Sequence, residues 1–167
     1  RLTSAPFNQL NGSTWENTKM DFSVSNLAYD ANGNIQSLKQ IGMQVNNIAT
    51  IDDLAYSYTS NSNQLKYVSD QGSWNSSLGD FKEVTHNVQN PTQDYWYDNN
   101  GNLTIDDNKK INNISYNYLN LPSMITLKNP DGTDKGSITF VYDASGNKLQ
   151  KIVLDKTISP YKTTTTD

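Results

Sequence analysis

Paired carboxylates are the first residues in this chain whose types and spacing could do chemistry. Asp52-Asp53, Asp106-Asp107 and Asp80 with Glu83 are candidates for acid–base work, or for glycoside hydrolysis, which needs two carboxyl groups flanking one bond. Adjacent residues on a strand point to opposite faces, so an Asp-Asp dipeptide makes no dyad by itself. Each pair reads more simply as a solvated turn, because Asp starts turns by accepting a backbone N–H two residues on. His86 is the only histidine; among polar loop residues a surface role is expected of it. There is no Gly-x-Ser-x-Gly elbow, and no Ser-His-Asp arrangement can be argued from spacing. Gly33, Gly101 and Gly146 lack the Gly-x-Gly partner of a phosphate-binding loop. With no cysteine, a thiol nucleophile, a disulfide and a Cys-ligated metal are all excluded. The expectation is a protein that is not an enzyme and carries no cofactor.

Two ligand chemistries stay open. Asp30-Ala31-Asn32-Gly33-Asn34 sets oxygen side chains at alternate positions, as calcium loops do. Its Gly comes fourth rather than sixth, and Ile41 stands where the closing Glu would be, so no metal is expected. Trp15, Trp74 and Trp96 are rings that could stack on sugars beside Asn and Asp. Trp74, in a polar stretch, and Trp96 with Tyr95 are the candidate ligand-binding residues, with glycans as the partner. Trp96, flanked by Tyr95 and Tyr97, reads equally as sheet packing.

The same residues have a larger pattern. Tyr29-Asp30-Ala31-Asn32-Gly33-Asn34-Ile35, Tyr97-Asp98-Asn99-Asn100-Gly101-Asn102-Leu103 and Tyr142-Asp143-Ala144-Ser145-Gly146-Asn147-Lys148-Leu149 repeat one phrase. Repetition at this scale means an array of similar supersecondary units. The Tyr ends an incoming strand, the Asp starts a turn, and the Gly takes the left-handed position that costs other residues more. A type I turn followed by such a Gly is a three-residue hairpin loop with a bulge. Tyr29, Asp30, Gly33, Asn34, Tyr97, Asp98, Gly101, Asn102, Tyr142, Asp143, Gly146 and Asn147 are thus structural turn residues.

Weaker copies lie between. Tyr58-Thr59-Ser60-Asn61-Ser62-Asn63-Gln64-Leu65 replaces the Asp and the Gly, and Tyr116-Asn117-Tyr118-Leu119-Asn120-Leu121-Pro122 keeps the tyrosines with a different turn. The Asp-like positions then fall at 30, 59, 98, 119 and 143, irregularly spaced. The flanks alternate as half-buried antiparallel strands do: Ile138, Phe140 and Tyr142 against Thr139 and Val141, and Leu103 and Ile105 around Thr104. Asn129-Pro130-Asp131-Gly132 is a further turn, between the 124–127 and 138–142 runs. Residues 41–54 fit either a short helix or a strand with a loop.

Composition agrees. The chain has 167 residues, of which 34% are hydrophobic. That suits a thin sheet with a wetted face better than a thick globule. A net charge of −4 argues against nucleic acid, which wants a basic stripe, and no stretch has the ~20 apolar residues of a membrane span. No signal peptide is recognisable at Arg1, where the sequence reads like the middle of something. The expected fold is all-β: antiparallel β-hairpin repeats forming a curved, one-layer sheet strip. Its parts are an N-terminal strand and loop segment (1–27), the hairpin array (28–155) with a polar insertion at about 69–93, and a Thr-rich linker or tail (156–167). Open sheet edges call for further pairing, so the partners expected are the rest of a longer chain or other copies of this one.

The Tyr-Asp-x-x-Gly-Asn-Leu phrases with Tyr-x-Tyr approaches resemble those of the RHS/YD-repeat proteins. The likeness runs from Ala28 to about Leu154, outside 69–93, and departs at Thr59, Ser62 and Pro122. It implies a bacterial secreted or cell-surface protein whose β-sheet strip is wound into a hollow shell. In bacterial polymorphic toxins of this kind, the shell encloses a toxin domain. The family's conserved core segment, its self-cleavage residues and a toxin domain are not found in this sequence, so the resemblance carries over no catalytic residue.

Overall fold

The computed structural model of the chain describes residues 1–44, 47–72, 79–83 and 93–167. The chain divides into two compact units, Arg1–Thr85 and His86–Asp167. Both are antiparallel β-sheet throughout, and no helix occurs among the described residues. None is therefore long and apolar enough to cross a membrane.

The first unit opens with a small ribbon, β1 (Gln9–Asn11) and β2 (Thr14–Glu16), joined through Gly12 at φ 63°. A four-stranded meander follows: β3 (Val24–Tyr29), β4 (Ile35–Gln44), β5 (Asn47–Tyr58) and β6 (Leu65–Asp70), adjacent in chain order. Residues 41–54 thus contribute to a hairpin rather than a helix. Ile41, Ile48, Thr50 and Ile51 are β-branched and lose more freedom in a helix than in a strand. Ile51 is skipped in the β4–β5 register, where Gln40 faces Asp52 and Ile41 faces Thr50. A bulge of this kind re-aims side chains, and here consecutive Ile51 and Asp52 are both buried. Among the described residues, Ile51, Leu54 and Val68 form the unit's buried apolar core. The outer side of β3 is covered by the N-terminal segment: Ala5 and Val24 exchange backbone bonds at 2.8 and 3.0 Å, and the Leu27 N–H reaches the Thr3 carbonyl at 3.2 Å.

The second unit is one seven-stranded meander: β7 (Tyr95–Tyr97), β8 (Leu103–Asp106), β9 (Ile111–Tyr116), β10 (Pro122–Lys128), β11 (Asp134–Tyr142), β12 (Lys148–Asp155) and β13 (Lys162–Thr166). Residues directly opposite across a ladder share a face. The register therefore lines up Ile114, Ile125, Ile138 and Val153 on one face. Ser115, Met124, Thr139 and Ile152 line up on the other. Of these eight only Ile114 is buried. The Thr-rich end, expected as a linker or tail, supplies β13, paired from Lys162 opposite Asp155 to Thr166 opposite Lys151. Threonine is β-branched and strand-prone, which a low-complexity reading of the run overlooks.

Candidate functional site: a ladder of hairpin tips

The repeated phrases form the tips, and each is closed by the Asp side chain and the same two backbone bonds. In residues 30–34 the Asp30 N–H donates to the Asn34 carbonyl at 3.0 Å and the Gly33 N–H to the Asp30 carbonyl at 3.2 Å. Asp30 Oδ1 accepts from the Gly33 and Asn34 N–H groups, both at 2.8 Å, while Oδ2 accepts from Asn34 Nδ2 at 2.8 Å. Asp98 does the same with the Asn100 and Asn102 N–H groups and Asn102 Nδ2. Asp143 does so with Ser145 and Asn147. Gly33, Gly101 and Gly146 have φ of 99°, 85° and 87°, which a Cβ makes costly. Both oxygens of each Asp thus accept hydrogen bonds from donors of the turn itself.

These bonds hold all three carboxyls below their ordinary value, the asparagine side-chain bond contributing most. A charged acceptor strengthens such bonds.

Residues 117–121 make the same tip with different residues, correcting the alignment on Leu119. Asn117 stands in the Asp position: its N–H donates to the Leu121 carbonyl at 2.9 Å, and its Oδ1 accepts from the Leu119 and Leu121 N–H groups. Asn120 stands in the Gly position at φ 57°, since Asn tolerates the left-handed region better than most side chains. The tip at Thr59 is one residue longer, closed by the Thr59 N–H to the Gln64 carbonyl at 2.9 Å, with Asn61 at φ 57°.

Two contacts recur between successive tips of a unit. The first uses the tyrosine. Tyr58 Oη donates to the Ile35 carbonyl at 2.8 Å, Tyr116 Oη to Leu103 at 2.6 Å, and Tyr142 Oη to Pro122 at 3.0 Å. In every case the acceptor is the first residue of the preceding hairpin's outgoing strand. Burial raises the Tyr58 and Tyr116 phenols, and the charges of Asp30 and Asp98 in the earlier tip add to it. The second contact uses asparagine. Asn63 Oδ1 accepts from Asn32 and Asn34 Nδ2 at 3.1 and 2.9 Å. Asn120 Oδ1 accepts from Asn100 and Asn102 Nδ2 at 3.2 and 3.1 Å. The third tip of the second unit sits on its neighbour differently: Tyr118 Oη donates to the Ala144 carbonyl at 3.3 Å, and Gly146 lies against Leu119 and Leu121.

Of the candidate ligand-binding aromatics, the described Tyr95 and Trp96 do not share a face. Tyr95 and Trp96 are consecutive on β7, Tyr95 opposite Asp106 and Trp96 opposite Ile105, so their rings leave from opposite faces. Burial pushes the Tyr95 phenol up to about 12, and Asn108 Nδ2 donates to it at 3.2 Å. Trp74 and His86 lie outside the described residues.

One carboxylate group escaped sequence reasoning. Oxygens of Asp52, Asp70 and Asp80 lie within 4.8 Å of one another. They come from β5, the end of β6 and the segment after it, and nothing in their spacing signals the meeting. Asp52 is 4% exposed and accepts the Phe81 N–H at 2.7 Å. Asp70 Oδ1 accepts the Asp53 and Gly72 N–H groups at 2.9 and 2.7 Å, and Asp80 pairs with Lys82. Burial raises the Asp52 carboxyl, and the charges of Asp70 and Asp80 add to it. Oxygen ligands of this kind suit a hard cation; here they accept backbone N–H groups and one of them meets the Lys82 ammonium. Asp53, one residue on, points away toward Lys39 at 3.5 Å.

No protein-family model and no curated protein sequence matches the chain.

Proposed function

We propose that this chain is a non-enzymatic structural module: a stretch of β-sheet wall of the RHS/YD-repeat kind. It belongs to a secreted or cell-surface bacterial protein that encloses or displays a toxin domain. The observation behind this reading is the tyrosine tie. Three of the five phrase tyrosines, Tyr58, Tyr116 and Tyr142, are spent on binding a hairpin to the one before it. A wall works by continuity, and a continuous ladder of backbone bonds with side-chain ties at one margin gives stiffness without a ligand. Immunoblotting of the source cells with an antibody against this chain tests the reading. A product far larger than 18.7 kDa is expected. A band at that mass would sink the wall and leave a protein that works alone.

A further inference from the structure

We propose that Asn11-Gly12, at the turn of the β1–β2 ribbon, is a self-modification site, where the Asn11 side-chain amide is lost as ammonia through a cyclic imide. The inference stands apart from the wall reading and does not need it. Asn-Gly occurs three times, at 11–12, 32–33 and 100–101. This dipeptide is open to the reaction because glycine puts no Cβ beside the attacking backbone nitrogen. The structure treats the three copies differently.

In the two tips both reacting groups are held. The Gly33 N–H donates to Asp30 Oδ1 at 2.8 Å and to the Asp30 carbonyl at 3.2 Å, and Asn32 Nδ2 donates to Asn63 Oδ1 at 3.1 Å. The Gly101 N–H donates to the Asp98 carbonyl at 3.0 Å, and Asn100 Nδ2 to Asn120 Oδ1 at 3.2 Å. An N–H bound in this way resists the loss of its proton that attack requires.

The ribbon has the opposite arrangement. Asn11 stands opposite Thr14, which leaves Gly12 and Ser13 as a two-residue loop with Gly12 at φ 63°, a place that hairpin turns give to glycine. Gly12 is exposed, and its N–H makes no hydrogen bond among the described residues. Lys19 Nζ donates to Asn11 Oδ1 at 2.9 Å, and Asn11 Nδ2 donates to the Glu16 carboxylate. The carbonyl under attack is thus polarised by an ammonium, where negative charge develops in the tetrahedral intermediate. A two-stranded ribbon of such short strands is marginal by itself, so the turn opens readily for ring closure.

The Gly12 nitrogen gives its proton to water and bonds to Asn11 Cγ. The Cγ–Nδ2 bond breaks, and the nitrogen takes a proton from water and leaves as ammonia. Water then opens the imide on either side, giving aspartate or isoaspartate. One amide becomes one carboxylate, beside the Glu16 carboxylate that the amide had bonded, and like charges there loosen the ribbon.

Incubating the folded 167-residue chain at mildly alkaline pH, with peptide mapping by mass spectrometry, tests the proposal. Conversion is expected at Asn11 about tenfold faster than at Asn32 or Asn100, since each of those must first break a hydrogen bond. In urea the three rates should converge. Lys19→Met should slow the Asn11 reaction several-fold and leave the other two unchanged. Equal rates at the three sites in the folded chain overturn the proposal, as does a difference that survives in urea or an Asn11 rate indifferent to Lys19. A cross-link between Lys19 and Asn11 would overturn it too, because the amine and not the Gly12 nitrogen would then be the nucleophile.

Discussion

In the first unit, residues 3–5 lie along the outer side of β3, and Arg1 rests on the first tip, its Nη1 donating to the Asp30 carbonyl at 2.8 Å and its guanidinium 5.5 Å from the Tyr29 ring. In the second unit, β13 has nothing described on its outer side. The interiors differ as well. The shorter sheet buries Ile51, Leu54 and Val68, and the longer one buries Ile114 alone among its apolar residues. Yet the tips and the tyrosine ties are alike in both. The comparison teaches that closing a hairpin and joining it to its neighbour is one local device. Burying a core and guarding an edge are separate matters, settled differently by each sheet.

The hardest blow falls on the second unit alone. A Cβ built on Gly136, at φ 133°, would lie 2.0 Å from the Leu154 carbonyl oxygen. Gly136→Val should therefore destabilise β11–β12 by roughly 3 kcal/mol or more. Gly132→Ala meets open space at φ 84° and should cost only about 1 kcal/mol, from backbone strain. Urea unfolding followed by hydrogen exchange resolves the units. Protection lost equally in both units would mean that they do not fold separately.

Next comes packing. Val68 is 2% exposed, and Val68→Ala should cost the first unit about 2 kcal/mol. Val153, half-buried in the second unit, should cost less than half as much when cut to alanine, because less apolar area leaves water on folding. Equal losses in melting experiments would erase the contrast between the interiors.

The ties should act alike on both sides of the comparison. Tyr58→Phe, Tyr116→Phe and Tyr142→Phe each remove one O–H···O=C bond, worth about 1 kcal/mol. If Tyr58→Phe proves silent while the other two do not, the first sheet is held by its core and not by the tie.

The smallest differences should appear in acid. Asp30, Asp98 and Asp143 are held below their ordinary value in the fold. Their support is full above the unfolded carboxylate value, near 3.8, and is lost as pH falls through the lower folded values. Asp52 has the opposite sign: burial raises its folded value, so the first unit gains as pH falls through that value. Asp107 does the same in the second unit. Asp52→Asn should therefore remove this gain and steepen the first unit's loss as pH falls toward the ordinary carboxylate value near 3.8. A stability profile unchanged by this substitution would show that the Asp52 carboxyl is not strained by burial.

The three clear tips could be read from the sequence because everything that closes them lies within five consecutive residues. The strands followed from alternation beside them. Three features could not be read in this way. The tip at 117–121 reads two residues late in the sequence, because Tyr118 looks as much like the phrase's tyrosine as Tyr116 does, and neither Asn117 nor Asn120 is the consensus residue. The Asp52, Asp70 and Asp80 group depends on a bulge and on strand pairing, which spacing does not encode. Strand β13 has no apolar alternation at all, and it exists because β12 offers an edge to a strand-prone run.

The tyrosine tie also has a direction. Tyr58 reaches back to Ile35, Tyr116 to Leu103 and Tyr142 to Pro122; within these sheets the anchor always lies earlier in the chain than the residue that grips it. Chains emerge from the ribosome in that same order. Each new hairpin therefore finds its mooring already built, and the sheet can be laid down course by course, like brickwork, while later strands are still being made.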